Sequence, residues 1–309
     1  MKINKIISMM TVATLGASLF LGCGSAATSN GQSADSISVV TTIFPEYDWV
    51  REIVGDNGNV DITMLLDDGV DLHNYQPTAE DIMKIATCDV FIYVGGESDE
   101  WVDDALSEAT NENMQVVNLL DVLGTFVKEE EEYDEHVWLS LKNAQILVDA
   151  IEQAIATVDG DNAETYAANA SVYKEKLDAL DEKYQSMVDS ASIKTVLFGD
   201  RFPFGYLVDD YGLDYYAAFV GCSAETEASF ETITFLASKV DELNLDAVFT
   251  IENSDQKIAQ TIIDNTEEQD AQILTLDSLQ SITMDDVNDG VTYLSVMEEN
   301  LEVLSEGLR

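Results

Sequence analysis

The sequence predicts an α/β protein made of two lobes with mainly parallel sheets, joined by one long rigid helix. Three observations predict it. Short β-branched runs alternate with amphipathic helical segments in the first and last thirds of the chain, the pattern of parallel strands with crossover helices. In the middle, the apolar positions Tyr166, Ala170, Tyr173, Leu177, Leu180, Tyr184 and Met187 step by four and three, which is one continuous helix face. A length of 309 residues exceeds one small core and suits two.

Each element has its own signal. Residues 37–44 (ISVVTTIF) are rich in β-branched side chains and read as the first strand. Residues 47–54 read as a helix ended by Gly55. Residues 59–66, 89–95 and 115–119 are strand-like, and between the first two lies a helix over 78–87, with Thr78 as N-cap and Asp81 three residues on. Residues 141–158 are amphipathic and helical, and Asp159-Gly160 breaks them. Asp161 and Glu164 form an acidic capping-box variant ahead of the long helix, which over 161–190 would span about 45 Å at 1.5 Å per residue. Beyond it the α/β rhythm returns, with strands at 194–198, 215–220, 246–251 and 272–276. Helices at 230–243 and 256–266 fall between them, and a closing helix covers 291–304. No sequence repeat relates the two lobes.

Composition narrows the function. Hydrophobic residues make up 46% of the chain, enough for packed cores and against disorder. Sixty acidic against 14 basic residues, a formal net charge of −46, exclude a nucleic-acid binder, which needs a basic face. Lys2 and Lys5 precede an apolar stretch over 6–21 that ends in Leu21-Gly22-Cys23-Gly24-Ser25. That is a secretory signal peptide rather than a membrane span, and Cys23 directly after it is similar to a bacterial lipoprotein box. Residues 24–36 are Ser-, Ala-, Gly-, Asn- and Gln-rich and read as a flexible tether. The expected organisation is therefore signal peptide 1–22, lipidated tether 23–36, N-terminal lobe 37–140, helical segment 141–193 and C-terminal lobe 194–309. Cys88 and Cys222 read as two independent buried thiols, although a disulfide is chemically allowed outside the cell.

The chain has two histidines. His73 lies in GVDLHNYQP, a loop after the second expected strand and just before a helix start, where open α/β sheets bind ligands. His136 lies in DEHVWLS, after an acidic run and before a helix. Neutral imidazole is a preferred zinc ligand, but no short-range pairing of the H-E-x-x-H kind is present. The acidic run itself, residues 129–132 followed by Tyr133, Asp134 and Glu135, reads as a solvated charged loop, with a low-affinity cation funnel as the functional alternative.

Four segments, TTIFPEYDWVREIVGD, LHNYQPTAEDIMKIATCDVFIYVGGESDEWVDDAL, DEHVWLSLKNAQILVDAI and DRFPFGYLVDDYGLDYYAAFVGCSAETEASFETI, resemble the zinc and manganese substrate-binding lipoproteins of ABC importers. The resemblance runs from about residue 37 to the C-terminus. It implies two α/β lobes joined by one rigid helix, with a metal site in the cleft between them. It implies that His73, in an H-x-Y-x-P context, and His136, in a D-x-H-x-W context, are ligands. At the third ligand position it places Arg201, which cannot coordinate a cation, so the neighbouring Asp200 is the substitute. For the fourth, a carboxylate after a late strand, it leaves Glu252 and Asp255 open.

The resemblance further implies a monomeric protein, lipid-anchored at Cys23 on the outer face of a bacterial cell membrane. It would capture zinc, with manganese as the alternative, and pass it to an ABC permease without catalysing a reaction. A zinc hydrolase is the rival from another class, since histidines and carboxylates also build catalytic sites. A surface adhesin is a third reading and needs no tight metal site.

Overall fold

The structure, a computed structural model, describes residues 36–124, 128–129, 132–219, 221 and 227–309. The expected leader and the anchoring Cys23 lie outside the described residues, as does Cys222. Cys88 is buried and makes no disulfide among the described residues.

The first half runs β1 (Ile37–Thr41), α1 (Phe44–Val54), β2 (Val60–Met64), α2 (Ala79–Thr87), β3 (Val90–Tyr93), α3 (Val102–Ser107), β4 (Gln115–Asn118) and α4 (Leu119–Leu123). A two-residue hairpin follows, β5 (Lys128–Glu129) and β6 (Glu132–Tyr133). The middle is α5 (Leu141–Val158) and α6 (Ala163–Ser190). The second half runs β7 (Thr195–Phe198), α7 (Gly205–Tyr211), β8 (Asp214–Ala217), α8 (Phe230–Leu243), β9 (Ala247–Ile251), α9 (Lys257–Asp264), β10 (Gln272–Leu276), α10 (Met284–Asn288) and α11 (Tyr293–Gly307).

Both four-stranded sheets are parallel throughout, ordered β2-β1-β3-β4 and β10-β9-β7-β8. Read from the first strand of each half, the two orders are the same, so a topological repeat exists where no sequence repeat is visible. Each order reverses direction between its first and third strands. These reversals, β1/β3 and β7/β9, open a crevice at the strand C-termini, where ligands of doubly wound sheets sit.

Gly199 closes β7 at the second crevice. Its N–H donates to Phe249 O at 2.9 Å, and a Cβ there would lie 2.5 Å from Ala259 Cα and 2.8 Å from Ala259 N. Backbone atoms of α9 cannot yield as a flexible side chain does. Gly199→Ala is therefore expected to destabilise by about 1–3 kcal/mol, read as a lower urea midpoint at unchanged slope. An unchanged midpoint would place α9 farther from β7 than described.

Helix α6 joins the two halves. Its 28 residues span about 42 Å. Its N-terminal part is tied to the first half: Asn169 Nδ2 donates to Ile53 O at 3.0 Å, and the Tyr166 hydroxyl is shared between Asn57 and Asp159. Its C-terminal part is tied to the second half, where Tyr184 donates to Met297 O at 2.6 Å and Asp181 accepts from Tyr211 at 2.8 Å. Two details differ from expectation. Asp161 does not cap the helix, because Asp159 instead accepts from Asn162 Nδ2 at 2.8 Å and the helix begins at Ala163. The buried stripe ends on Val188 rather than Met187, since a final step of four keeps the smaller side chain inward.

The C-terminal helix α11 adds a second tie. Tyr293 N, at its first turn, donates to the buried Asp48 of α1 at 2.8 Å. Burial pushes the Asp48 carboxyl up to about 6, against that hydrogen bond. The Tyr293 ring stands edge-on to Trp49, 5.3 Å between centroids, and its hydroxyl donates to Trp138 O at 2.7 Å. Trp49, Trp138 and Tyr293 are fully buried, so this joint fixes the segment just after His136.

Candidate metal centre

The two histidines come from different loops of the first half. His73 lies in a one-turn 3-10 helix, Leu72–Asn74, after β2. Asp71 caps that turn by accepting from His73 N at 3.0 Å. His136 directly precedes a second 3-10 turn, Val137–Leu139, which leads into α5. The two Nε2 atoms stand 3.3 Å apart.

The other ring nitrogen of each histidine is engaged. His136 Nδ1 lies 2.7 Å from Asp134 Oδ1, which also accepts from His136 N at 2.9 Å. A carboxylate accepts only, so Nδ1 carries the proton and Nε2 presents its lone pair. His73 Nδ1 lies 2.7 Å from Ser98 Oγ and 3.7 Å from Glu135 Oε2. Glu135 Oε1 in turn accepts from Ser98 N at 3.0 Å. Its carboxylate packs so closely on the chain that a Cβ at Gly96, where φ is +84°, would lie 2.3 Å from Oε1. Glycine is needed there on both counts.

Asp134 and Glu135 are therefore buried, at 4% and 6% exposure, so the expected solvated loop does not include these two residues. The D-x-H spacing held the signal for Asp134, since an acceptor two residues before a histidine reaches both its N–H and its ring. Ser98 had no comparable signal. Beneath this layer Asp99 and Glu46 are also buried. Burial pushes Asp99 up to about 7, helped by the charge of Glu135, and raises Glu46 well above the carboxylate range, helped by Asp99.

The carboxylates of the second half lie as follows. Asp200 follows β7 at the crevice; its Oδ1 accepts from Arg201 N at 2.8 Å, and its Oδ2 is buried with no hydrogen-bond partner among the described residues. Arg201 Nη1 lies 3.1 Å from Asp71 Oδ2, so this loop is bonded to the turn that carries His73. Glu252 follows β9 and accepts from Ser278 N at 2.7 Å and Ser278 Oγ at 2.6 Å. Ser278 O accepts from Trp138 Nε1 at 2.8 Å, linking Glu252 to the segment after His136. Asp255 is 62% exposed and ion-paired with Lys257, whose hydrogen bond holds its carboxyl below the usual range. Thus the structure brings His73 and His136 together. Among the described residues, no three His, Cys, Asp or Glu side chains converge as a metal cage.

The family model for the periplasmic zinc-uptake complex component A matches residues 39–307. The chain belongs to this zinc-uptake family. Among its relatives, the zinc-binding lipoprotein AdcA of Streptococcus pneumoniae serotype 4 is 31% identical over 317 residues, covering 98% of this chain and 61% of that protein. The chain thus spans about three fifths of the length of that streptococcal relative. The high-affinity zinc uptake system protein ZnuA of Bacillus subtilis is 30% identical over 306 residues, covering 94% of each chain. The Zn(II)-bound ZnuA-like domain of S. pneumoniae AdcA superposes with a TM-score of 0.74 at 29% identity, covering 88% of this chain and 99% of that one. The two-lobed α/β fold with its long joining helix is the fold of this family.

Proposed function

We propose that this family member is an extracytoplasmic binding protein that captures zinc and delivers it to an ABC permease. The observation that carries the reading is the 3.3 Å separation of the two Nε2 atoms, with each Nδ1 engaged behind it. Two nitrogens 2.0–2.1 Å from one tetrahedral zinc ion are about 3.3 Å apart. The pair already has the edge length of a zinc tetrahedron, and the proton on His136 Nδ1 leaves its Nε2 lone pair for the metal.

Asp200 is the third donor in this reading. It lies at the crevice of the second sheet and its Oδ2 is buried with no hydrogen-bond partner among the described residues. Glu252, on the adjacent strand, is the fourth, exchanging its serine contacts for the ion. Asp255 is disfavoured by its exposure and its bond to Lys257. Two neutral imidazoles and two carboxylates neutralise a divalent cation, which makes the filled site less costly to bury. Four protein donors leave no open position for water, so the site binds and releases rather than hydrolyses. The metal content of the purified protein tests the reading, with about one zinc per chain expected. Asp200→Asn, which removes a charged donor, is expected to weaken zinc by at least the roughly 10- to 100-fold that is lost when groups behind the ligands are changed. Wild-type affinity in that variant would remove Asp200 from the site and turn attention to Glu252 and to Glu225, which lies outside the described residues.

Relatives named as lipoproteins and as parts of an uptake system support membrane anchoring and a permease partner. Among the described residues no helix is long and apolar enough to cross a membrane. Cys23 is the proposed anchor, because stable attachment takes more than one acyl chain and the lipoprotein-like segment supplies the cysteine that would carry them. Cys23→Ser should shift the protein from the membrane fraction to the medium. Unchanged partitioning would remove Cys23 as the anchor.

A further inference from the structure

Arg201 stands where a cation works against the proposed function. Its guanidinium has no lone pair for a metal, and its positive charge repels one. It is one of three arginines in a chain with 60 acidic residues. Nη1 lies 3.1 Å from Asp71 Oδ2, and the other oxygen of the same carboxylate accepts from His73 N at 3.0 Å. Arg201 N donates to Asp200 Oδ1 at 2.8 Å. One unbroken chain of bonds therefore runs from Asp200, after β7, through Arg201 and Asp71 to the backbone of His73, after β2. The ion pair is partly buried, with Arg201 and Asp71 side chains 29% and 22% exposed. Solvent screening is reduced there, and the Arg201–Asp71 pair joins the two halves of the molecule.

We propose that Arg201 is a positioning residue for the metal. It locks the His73 turn and the Asp200 loop in a fixed relation before the ion arrives, so that a residue that repels the cation nevertheless tightens its binding. The inference rests on the reading of His73 as a ligand. Simple electrostatics gives the opposite sign. If Arg201 acts only through its charge, removing it should strengthen zinc binding. If it acts by holding the turn, removing it should weaken binding, as removal of supporting residues behind metal ligands does.

The experiment measures zinc affinity of the full chain by chelator competition, with the thermal midpoint of each metal-free variant as a check on folding. Arg201→Ala is expected to lose roughly 10- to 100-fold. Asp71→Asn, which keeps a capping oxygen but removes the charge, should lose a similar factor. The double variant should lose no more than the worse single one, because both break the same bond. Arg201→Lys should recover part of the loss, restoring the charge but not the planar fork. A general loss of structure would not be rescued in this way, and if Arg201→Ala does not fold, Arg201→Gln and Arg201→Lys carry the comparison. Zinc binding as tight as wild type or tighter in Arg201→Ala, or losses that add in the double variant, would overturn the proposal. His73→Ala separates the two levels. Loss of zinc there with wild-type affinity in Arg201→Ala defeats the positioning role and leaves the metal site standing, whereas wild-type affinity in His73→Ala defeats both.

Discussion

Replacing His136 with alanine is expected to lower zinc affinity by orders of magnitude while the protein stays folded. The side chain is 3% exposed, its Nδ1 is held by Asp134, and its Nε2 faces that of His73. Truncation removes one of two nitrogen donors and leaves the buried Asp134 carboxylate without its ring partner, a loss of about 1–3 kcal/mol in stability beside the loss of metal. His73→Ala should lose comparable affinity at smaller cost to stability, because its side chain is 25% exposed. Both effects share a pH signature. Ligand imidazoles must be neutral, so wild-type affinity should fall as pH is lowered and protons compete for the same ring nitrogens. Chelator competition across pH reads this directly. Wild-type titrations in both single variants would move the site elsewhere in the molecule.

Saturating the wild-type protein with zinc should raise its thermal midpoint by roughly 10 °C. Binding to the folded state alone adds about 4 kcal/mol at a thousandfold excess over Kd, and a chain of this size gains roughly 2–4 °C per kcal/mol. The gain follows from binding to the folded state, and donors from both halves would place the ion beside the ties already made by α6 and by Tyr293. Chelation should reverse it. A calorimetric scan that shows no shift at saturating zinc would mean that the folded protein does not bind the ion.

Much of this architecture is legible from residue pattern. The ends of α5, α8 and β10 fall where periodicity and punctuation place them, and Thr78 with Asp81 forms the capping box at α2. Helix α6 is readable because seven apolar positions on one face outweigh any local ambiguity. Short helices were not: α3, α4, α7 and α10 have 5–7 residues, under two turns, and leave no period to detect. The shared strand order of the two sheets is also invisible, since topology can repeat without side chains repeating.

The site divides in the same way. The sequence surroundings of His73 and His136 marked both, and the structure places their Nε2 atoms together. The supporting groups depend on tertiary contact and carry weaker marks. Glu135 sits in an acidic run that composition reads as solvent-facing, yet its oxygen meets Ser98, 37 residues away. The bond between Asp71 and Arg201 spans 130 residues and no local pattern announces it.

A competition titration of the metal-free protein with zinc and manganese tests the metal site most directly. Zinc stands far above manganese in the divalent affinity order at nitrogen and oxygen donors, and a closed tetrahedral cage keeps that preference. One zinc ion per chain is expected, bound far more tightly than manganese. Tighter manganese binding, or no stoichiometric zinc binding at all, would contradict the proposed site.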